Sequence, residues 1–341
     1  MKKLTINGLS KSEIFIGEKL DNIYNYLPKN NVIIITDDNV SGCFSDKFPD
    51  FPVIVIPTSE KIKTLSTVEF IIDKLINLNA DRNFFLLAIG GGIVCDIAGF
   101  VASIYMRGIK FGYVPTTLLS QVDASIGGKN GVNFNSFKNI IGNFNQPKFV
   151  ICDTKMLITL PQNEIKSGMA EVVKHAIIAD ARMFCVIKNN IKQILSLDEN
   201  RISELIYNSV LIKSKIVNRD ETEQGERKKL NFGHTFGHAI EKHSNISHGE
   251  AISIGMVFSA YLSFKKGYIT EFTFTQIQDL LKSLDLPILI NIERKKLADA
   301  INKDKKRNSN IIDFVFLKKI GEAVIERIEI KELQKEILDY K

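Results

Sequence analysis

The sequence predicts an α/β chain in two parts: a mostly parallel sheet layered with helices, followed by a mainly helical half. Three observations predict this. Short apolar runs alternate with helical patterns up to about residue 160. Beyond Leu160-Pro161 long helical patterns dominate. No internal repeat or low-complexity linker interrupts either half. A chain of 341 residues is long enough for two domains with a large buried core. The expected division is 1–160 and 161–341.

In the first half, the runs at 31–37, 53–57 and 84–90 read as strands, the first and third as buried ones rich in Ile, Val, Phe and Leu. An amphipathic helix is expected around 71–76. The third strand runs into Gly90-Gly91-Gly92 and then a helix through Ala98 and Ala102. A short strand at 111–115 ends at Thr116-Thr117, and 149–153 supplies the last strand of the layer. Strands alternating with helices imply a parallel sheet covered on both faces. In the second half, helices are expected at roughly 162–180, 181–196, 199–219, 231–244, 248–267, 271–284 and 294–302. An antiparallel pair at 313–317 and 323–328, turning at Lys319-Ile320-Gly321, lies near the end.

Bulk properties narrow the function classes. A net charge of +6 is mild, and acidic residues are interspersed among scattered basic ones. That suits an anionic small substrate and gives no nucleic-acid footprint. Cys43, Cys95, Cys152 and Cys185 form no CxxC pair and read as free thiols in a reducing compartment. The opening residues carry no apolar run of signal-peptide length, and no stretch approaches the ~20 apolar residues of a membrane span. A cytoplasmic location without membrane partners is the expectation.

Several segments carry chemistry. Gly90-Gly91-Gly92-Ile93-Val94-Cys95-Asp96 joins a strand to a helix N-terminus, where backbone N–H groups meet an anion and glycines let a diphosphate approach. The spacing is not the GxGxxG of a standard Rossmann unit, and a plain structural turn is the competing reading. Thr36-Asp37-Asp38-Asn39 follows the first strand, where a carboxylate suits a ribose, and Ser59-Glu60-Lys61-Ile62-Lys63 follows the second. An apolar strand does not normally run into Asp123, Gly127-Gly128 and Lys129, with Phe137-Lys138-Asn139 after it; lysines and an Asn on such loops suit phosphate or carboxylate. The alternative is a solvated surface loop.

The remaining segments are Gly168–His175, Asn231–His238 and His248-Gly249-Glu250-Ala251, which hold four of the five histidines. On the first helix, Met169, Val172, Val173, Ala176 and Ile177 form an apolar stripe, and Glu171, Lys174 and His175 share the other face. That face is either solvated or lines a site. His234 and His238 are i, i+4 on one helix face. Either both bind one metal, or His234 binds it and His238 contacts substrate. A carboxylate with imidazoles is the usual ligand set of a catalytic zinc. His175 and His243 read as structural or peripheral.

Together these segments resemble the 3-dehydroquinate synthase family of sugar phosphate cyclases. The resemblance spans about 31 to 328. It rests on Gly90–Phe100, Tyr105-Met106-Arg107-Gly108, Pro115-Thr116-Thr117-Leu118-Leu119, Asp123–Lys129, Lys138-Asn139, Gly168–Lys174, Asn231–Thr235 and His248–Ala251, in that order. It implies a Rossmann-like nucleotide-binding domain and a helical metal-binding domain, with the active site in the cleft between them. Glu171, His234 and His248 would ligate zinc or cobalt, leaving His238 to the substrate. NAD would be held by Asp37, Asn39, Glu60, Lys63, Gly92, Ile93, Val94, Cys95, Asp96, Thr116, Thr117 and Thr159, with Lys129 and Lys138 nearby. Asp123, Lys129, Asn139, Lys174, Lys213, Arg227, Asn231, His238 and Lys305 would surround the substrate. The family residue matching Arg107 reaches the neighbouring subunit's phosphate, so a homodimer is implied.

The reaction implied is conversion of 3-deoxy-D-arabino-heptulosonate 7-phosphate to 3-dehydroquinate and phosphate, in the shikimate pathway. It combines transient oxidation by NAD, β-elimination, re-reduction and aldol cyclisation. Three departures from the family pattern touch loop geometry: Cys95 before Asp96, Phe137 before the Lys-Asn pair, and Thr58-Ser59 before Glu60. The competing functions are a cyclase making an inosose or valiolone skeleton, a metal-dependent polyol dehydrogenase, and a non-catalytic binding protein. The lysine-rich loops disfavour the dehydrogenase, and the intact Glu171, His234 and His248 set disfavours the last.

Overall fold

A computed structural model describes residues 1–135, 137–301, 307–308 (backbone only) and 310–340. Its contacts divide the chain into two compact units: 1–161 with 199–222, and 162–198 with 223–341.

The first unit begins with a hairpin, β1 (Lys2–Asn7) and β2 (Lys11–Ile16). Then follow β3 (Val32–Asp37), α1 (Asp38–Phe44), β4 (Val53–Ile56), α2 (Leu65–Asn77), β5 (Phe85–Gly90), α3 (Gly92–Ile104) and β6 (Lys110–Pro115). A second hairpin, β7 (Lys129–Phe134) and β8 (Phe137–Phe144), precedes β9 (Phe149–Cys152). One seven-stranded sheet runs in the order β1-β2-β9-β6-β5-β3-β4, parallel except where β1 meets β2. Every residue of β3 and β5 is buried, as continuous apolar strands inside a two-faced sheet must be. Val32, Ile34, Phe85, Leu87, Ile89, Val114 and Phe149 share one core cluster.

The sheet order fixes where a ligand belongs. From β3 the chain moves outward to β4, then crosses back to place β5 on the other side of β3. Ligands of open α/β sheets bind at such a switch point, beyond the carboxyl ends of the strands. Register aligns those ends: Asp37 pairs with Ile56, Thr36 with Ile89, and Gly90 with Pro115.

The second unit holds α4 (Gln162–Ala179), α5 (Ala181–Asn189) and α6 (Ile191–Leu195). The chain then returns to the first unit as α7 (Glu199–Arg219), which packs on β1, β2 and the turn at 120–124. α8 (His234–Glu241), α9 (His248–Lys265), α10 (Glu271–Ser283) and α11 (Arg294–Ile301) complete the helices before the sheet. β10 (Arg307–Asn308), β11 (Ile311–Lys319) and β12 (Glu322–Glu329) form an antiparallel sheet, and α12 (Ile330–Asp339) ends the unit. Phe236, Phe258, Phe314, Phe316, Leu333 and Tyr340 build its core. No described helix is long and apolar enough to cross a membrane.

Several elements differ from the sequence reading. A single division at 160 does not describe α7, because its apolar face is completed by β1 and β2. The apolar stretch before Asp123 is a widened helical turn, Ser120–Ala124, rather than a strand. The segment 181–196 breaks into two helices at Asn190, and the helix expected from 231 starts only at His234, after a 3₁₀ turn at Glu226–Asn231. The β1–β2 and β7–β8 hairpins and α12 were not expected.

Candidate active site

The metal-ligand candidates come from three helices of the second unit. α4 is buried nearly all round, so the polar face carrying Glu171, Lys174 and His175 is not solvated: the three are 0%, 1% and 0% exposed. Gly233, at φ +81°, turns the chain into α8 and begins that helix with His234. α8 then lies tightly on α9, since a Cβ on Gly255 would stand 1.9 Å from the Gly233 carbonyl. The α9 N-terminus is fixed by a capping box between Ser247 and Glu250, in which the Glu250 carboxylate accepts the Ser247 N–H at 2.7 Å. Glu250 is therefore engaged as a cap, while His248 at the first helical position faces the cluster. Ser167 of α4 accepts the Gly249 N–H at 3.1 Å and ties the two helices together.

These constraints converge on Glu171 Oε1. The Nε2 atoms of His234 and His248 each lie 3.6 Å from it, too far for a hydrogen bond. Oε1 is buried and receives no hydrogen bond. Tetrahedral ligands about 2.0–2.2 Å from a zinc ion stand about 3.3–3.6 Å apart, so this spacing is that of atoms sharing a metal. The other ring nitrogens are engaged as metal ligands require. His248 Nδ1 lies 3.1 Å from Glu241 Oε1, and His234 Nδ1 lies 3.3 Å from the Phe232 carbonyl. Such partners fix the tautomer that leaves Nε2 as the donor atom. The residues present fit a divalent transition metal.

Electrostatics agree. Burial opposes ionisation of Glu171, but Lys174, His234 and His248 outweigh it and hold the carboxyl well below the usual carboxylate range. Lys174 Nζ contacts Oε2, leaving Oε1 to the imidazoles. Burial pulls His248 down, yet the carboxylates of Glu171 and Glu241 raise it to about 10 in the metal-free protein. His238 stands edge-on to His234, ring centroids 5.3 Å apart, and is not among the three grouped ligands. His243 is exposed. Arg227 is 1% exposed, and Asn231 donates to Glu223 in the same unit.

The nucleotide-side residues belong to the first unit. Gly91 supplies no capping side chain to α3, so the first-turn N–H groups of Gly92, Ile93 and Val94 depend on another acceptor. A Cβ on Gly91 would meet Thr117 at 3.2 Å, and one on Gly92 would meet Ala124 at 3.1 Å. An uncapped helix start at the switch point fits a diphosphate. Asp37 caps α1, accepting from Val40 N–H at 3.0 Å and the Thr58 hydroxyl at 3.2 Å. Asn39 N–H reaches the same hydroxyl at 3.4 Å. Lys63, 5% exposed, donates to Asp96 at 2.5 Å and to the Asn139 side-chain Oδ1 at 2.6 Å. Burial raises Asp96, with Lys63 opposing. Thr116 is buried, Cys95 is a buried thiol pushed up by burial, and Thr159 is exposed beyond β9.

Substrate candidates in this unit divide into a fixed pair and exposed cations. Lys213 of α7 donates to the Asp123 carbonyl at 2.7 Å and its carboxylate at 2.5 Å. Lys129 and Lys138 are exposed. Arg107 is exposed too, in a turn where Met106 (φ 47°) and Arg107 (φ 68°) are both left-handed. Lys305 lies outside the described residues. Sequence reasoning missed Glu241, whose spacing from His248 carries no pattern, and Asn133, which looks like an ordinary strand residue.

Comparison with known proteins agrees with this geometry. Residues 53–167 match the family described as 3-dehydroquinate synthase N-terminal, and 168–307 match 3-dehydroquinate synthase C-terminal. The 3-dehydroquinate synthase of Thermoanaerobacter pseudethanolicus is 41% identical over 322 residues, 91% of this chain and 90% of that protein. A 2-epi-5-epi-valiolone synthase from Streptomyces hygroscopicus, solved with NAD+ and Zn2+ bound, superposes with a TM-score of 0.87 at 24% identity, covering 99% of this chain and 97% of that one. A 2-deoxy-scyllo-inosose synthase complexed with carbaglucose-6-phosphate, NAD+ and Co2+ gives 0.81 at 24%, covering 99% and 100%. These two establish the shared fold; the sequence match over nine-tenths of both chains goes further, and the chain belongs to the 3-dehydroquinate synthase family.

Proposed function

We propose that this protein converts 3-deoxy-D-arabino-heptulosonate 7-phosphate to 3-dehydroquinate and phosphate, with NAD and a divalent metal. The observation that carries the proposal is Glu171 Oε1, buried, without a hydrogen bond, and 3.6 Å from two imidazole nitrogens. Glu171, His234 and His248 would hold zinc or cobalt, which supplies Lewis acidity toward a substrate hydroxyl. The α3 N-terminus at Gly92, Ile93 and Val94 would hold NAD, which would supply reversible hydride transfer with no net redox change.

The chain's own groups then bind and orient. Lys174, paired with Glu171, keeps the carboxylate anionic beneath its imidazole partners. His238, beside His234, offers an imidazole for a substrate hydroxyl proton. Lys213 fixes the Asp123 carboxylate on a rigid helical turn, which suits a group that must orient one hydroxyl. Lys129, Asn139, Arg227 and Asn231 complete the proposed anion-binding set, and Lys138 serves the cofactor side. Arg107 is proposed to serve the neighbouring subunit of a homodimer; its exposed, strained turn supports that reading. Free cysteines throughout support a reducing, cytoplasmic setting.

The test is phosphate release from that substrate with NAD and zinc, before and after chelation. Metal-dependent release with 3-dehydroquinate formed and no NADH accumulating is expected. No release from metal-loaded protein would shift the assignment to a related cyclase, and NADH accumulating with polyols would shift it to a dehydrogenase.

A further inference from the structure

Asn133 is assigned no part in the site by its sequence pattern, yet it makes three specific contacts there. It sits in β7 where the pairing with β8 shifts register, between Val132 and Phe134. Such an irregularity frees a residue from the ladder and re-aims its side chain. The Asn133 backbone N–H donates to the Lys63 carbonyl at 2.8 Å instead of to β8. Its Nδ2 donates to Glu60 Oε1 at 2.7 Å. Its Oδ1 accepts the Asn139 backbone N–H at 2.8 Å. Asn139 is held at φ 51°, a conformation asparagine tolerates but which needs an external tie to persist. A second tie closes the ring, because Lys63 Nζ donates to the Asn139 side-chain Oδ1 at 2.6 Å and to Asp96 at 2.5 Å.

We propose that Asn133 is a positioning residue that couples the cofactor-side segment 60–63 to Asn139 on the substrate side. The inference rests on the site reading above, in which Glu60 and Lys63 face NAD and Asn139 faces the substrate. Its donor and acceptor ends serve different partners, so one side chain sets the Glu60 carboxylate and the Asn139 backbone together. NAD binding to an ordered 60–63 segment then leaves Asn139 already in place for the substrate. The converse holds by linkage.

The polarity of the two bonds supplies the test. Asn133→Asp keeps the acceptor for Asn139 but sets a carboxylate against Glu60. Glu60→Gln turns that partner into a donor, so the double variant restores both bonds. NAD dissociation constants and steady-state kinetics are measured for wild type, Asn133→Asp, Glu60→Gln and the pair, with thermal midpoints of the cofactor-free proteins. Asn133→Asp is expected to weaken NAD about tenfold or more in the wild-type background. In the Glu60→Gln background it should change NAD affinity by less than about twofold, a non-additivity a generally damaged fold does not produce. Equal losses in both backgrounds, or no loss in either, overturn the coupling. Glu60→Ala and Asn139→Ala test the underlying reading separately. If these impair NAD affinity and substrate turnover while Asn133→Asp does nothing, the site stands and the coupling falls. If neither has an effect, the site assignment falls and takes the coupling with it.

Discussion

Glu241 offers the sharpest test of the proposed metal cluster, because it supports the proposed ligand His248 without belonging to the set. Its carboxylate lies 3.1 Å from His248 Nδ1, and its side chain is 6% exposed. A hydrogen bond to an ionised group contributes about 1.5–3 kcal/mol. At 1.36 kcal/mol per decade that is roughly 10–100-fold in an equilibrium constant. The same range, about 10–100-fold, is typical for removing the outer partner of a metal-bound histidine. Glu241→Ala should therefore weaken metal binding by about 10–100-fold, and Glu241→Gln, which keeps a neutral acceptor, by less. A competitive titration against a chromophoric chelator measures it, with NAD affinity of the same samples as control. The order expected is wild type, Glu241→Gln, Glu241→Ala, with His248→Ala weakest. Metal affinity unchanged in Glu241→Ala, with His248→Ala strongly impaired, would refute the argument that this carboxylate orients the ligand. His234 permits no parallel experiment, since its Nδ1 partner is the Phe232 backbone carbonyl.

Further outcomes follow from the same geometry. Glu171→Ala should abolish metal retention and turnover while NAD binding survives; metal content by elemental analysis checks it, and full activity in the metal-free variant would remove the zinc assignment. Asp123→Ala should lose most turnover with the metal retained, because it removes the carboxylate held by Lys213; an unchanged kcat would take Asp123 out of the site. Gly255→Ala should destabilise by about 1–3 kcal/mol, read as a lower denaturation midpoint, because the added methyl overlaps the Gly233 carbonyl where α8 crosses α9.

Much of the fold was legible because it is written in local chemistry. β3 and β5 are dominated by Ile, Val, Leu and Phe and buried at every residue, so composition alone identified them. The turn after β5 was marked by three glycines, and a Cβ on Gly90 would fall 2.6 Å from Val94. The pair β11 and β12 was visible from alternation and a glycine turn. The β7–β8 hairpin was hidden because its strands carry Asn130, Gly131, Asn133 and Gly142 in place of an alternating apolar face, and expose Phe134, Phe137 and Ile140. The N-terminal hairpin and α12 did carry readable periodicity: Leu4 and Ile6 in one, Ile330, Leu333 and Ile337 in the other. Short segments at chain ends simply offer few residues over which a period can be counted.

The sequence alone supplied the candidates: a carboxylate on one helix, imidazoles in two later segments, and a glycine turn beyond a buried strand. Those are properties of residue type and short spacing. On i, i+4 spacing alone it left open whether His238 binds the metal with His234 or contacts substrate. Only tertiary structure supplied the distances that group Glu171 with His234 and His248, the engagement of Glu250 as a cap, the support of His248 by Glu241, and the crossing of Asn133 between Glu60 and Asn139. The reason is physical. Which residues can ligate is set by their functional groups, whereas which ones meet is set by helix crossings and register shifts, where packing of distant segments decides an angle that no local pattern encodes.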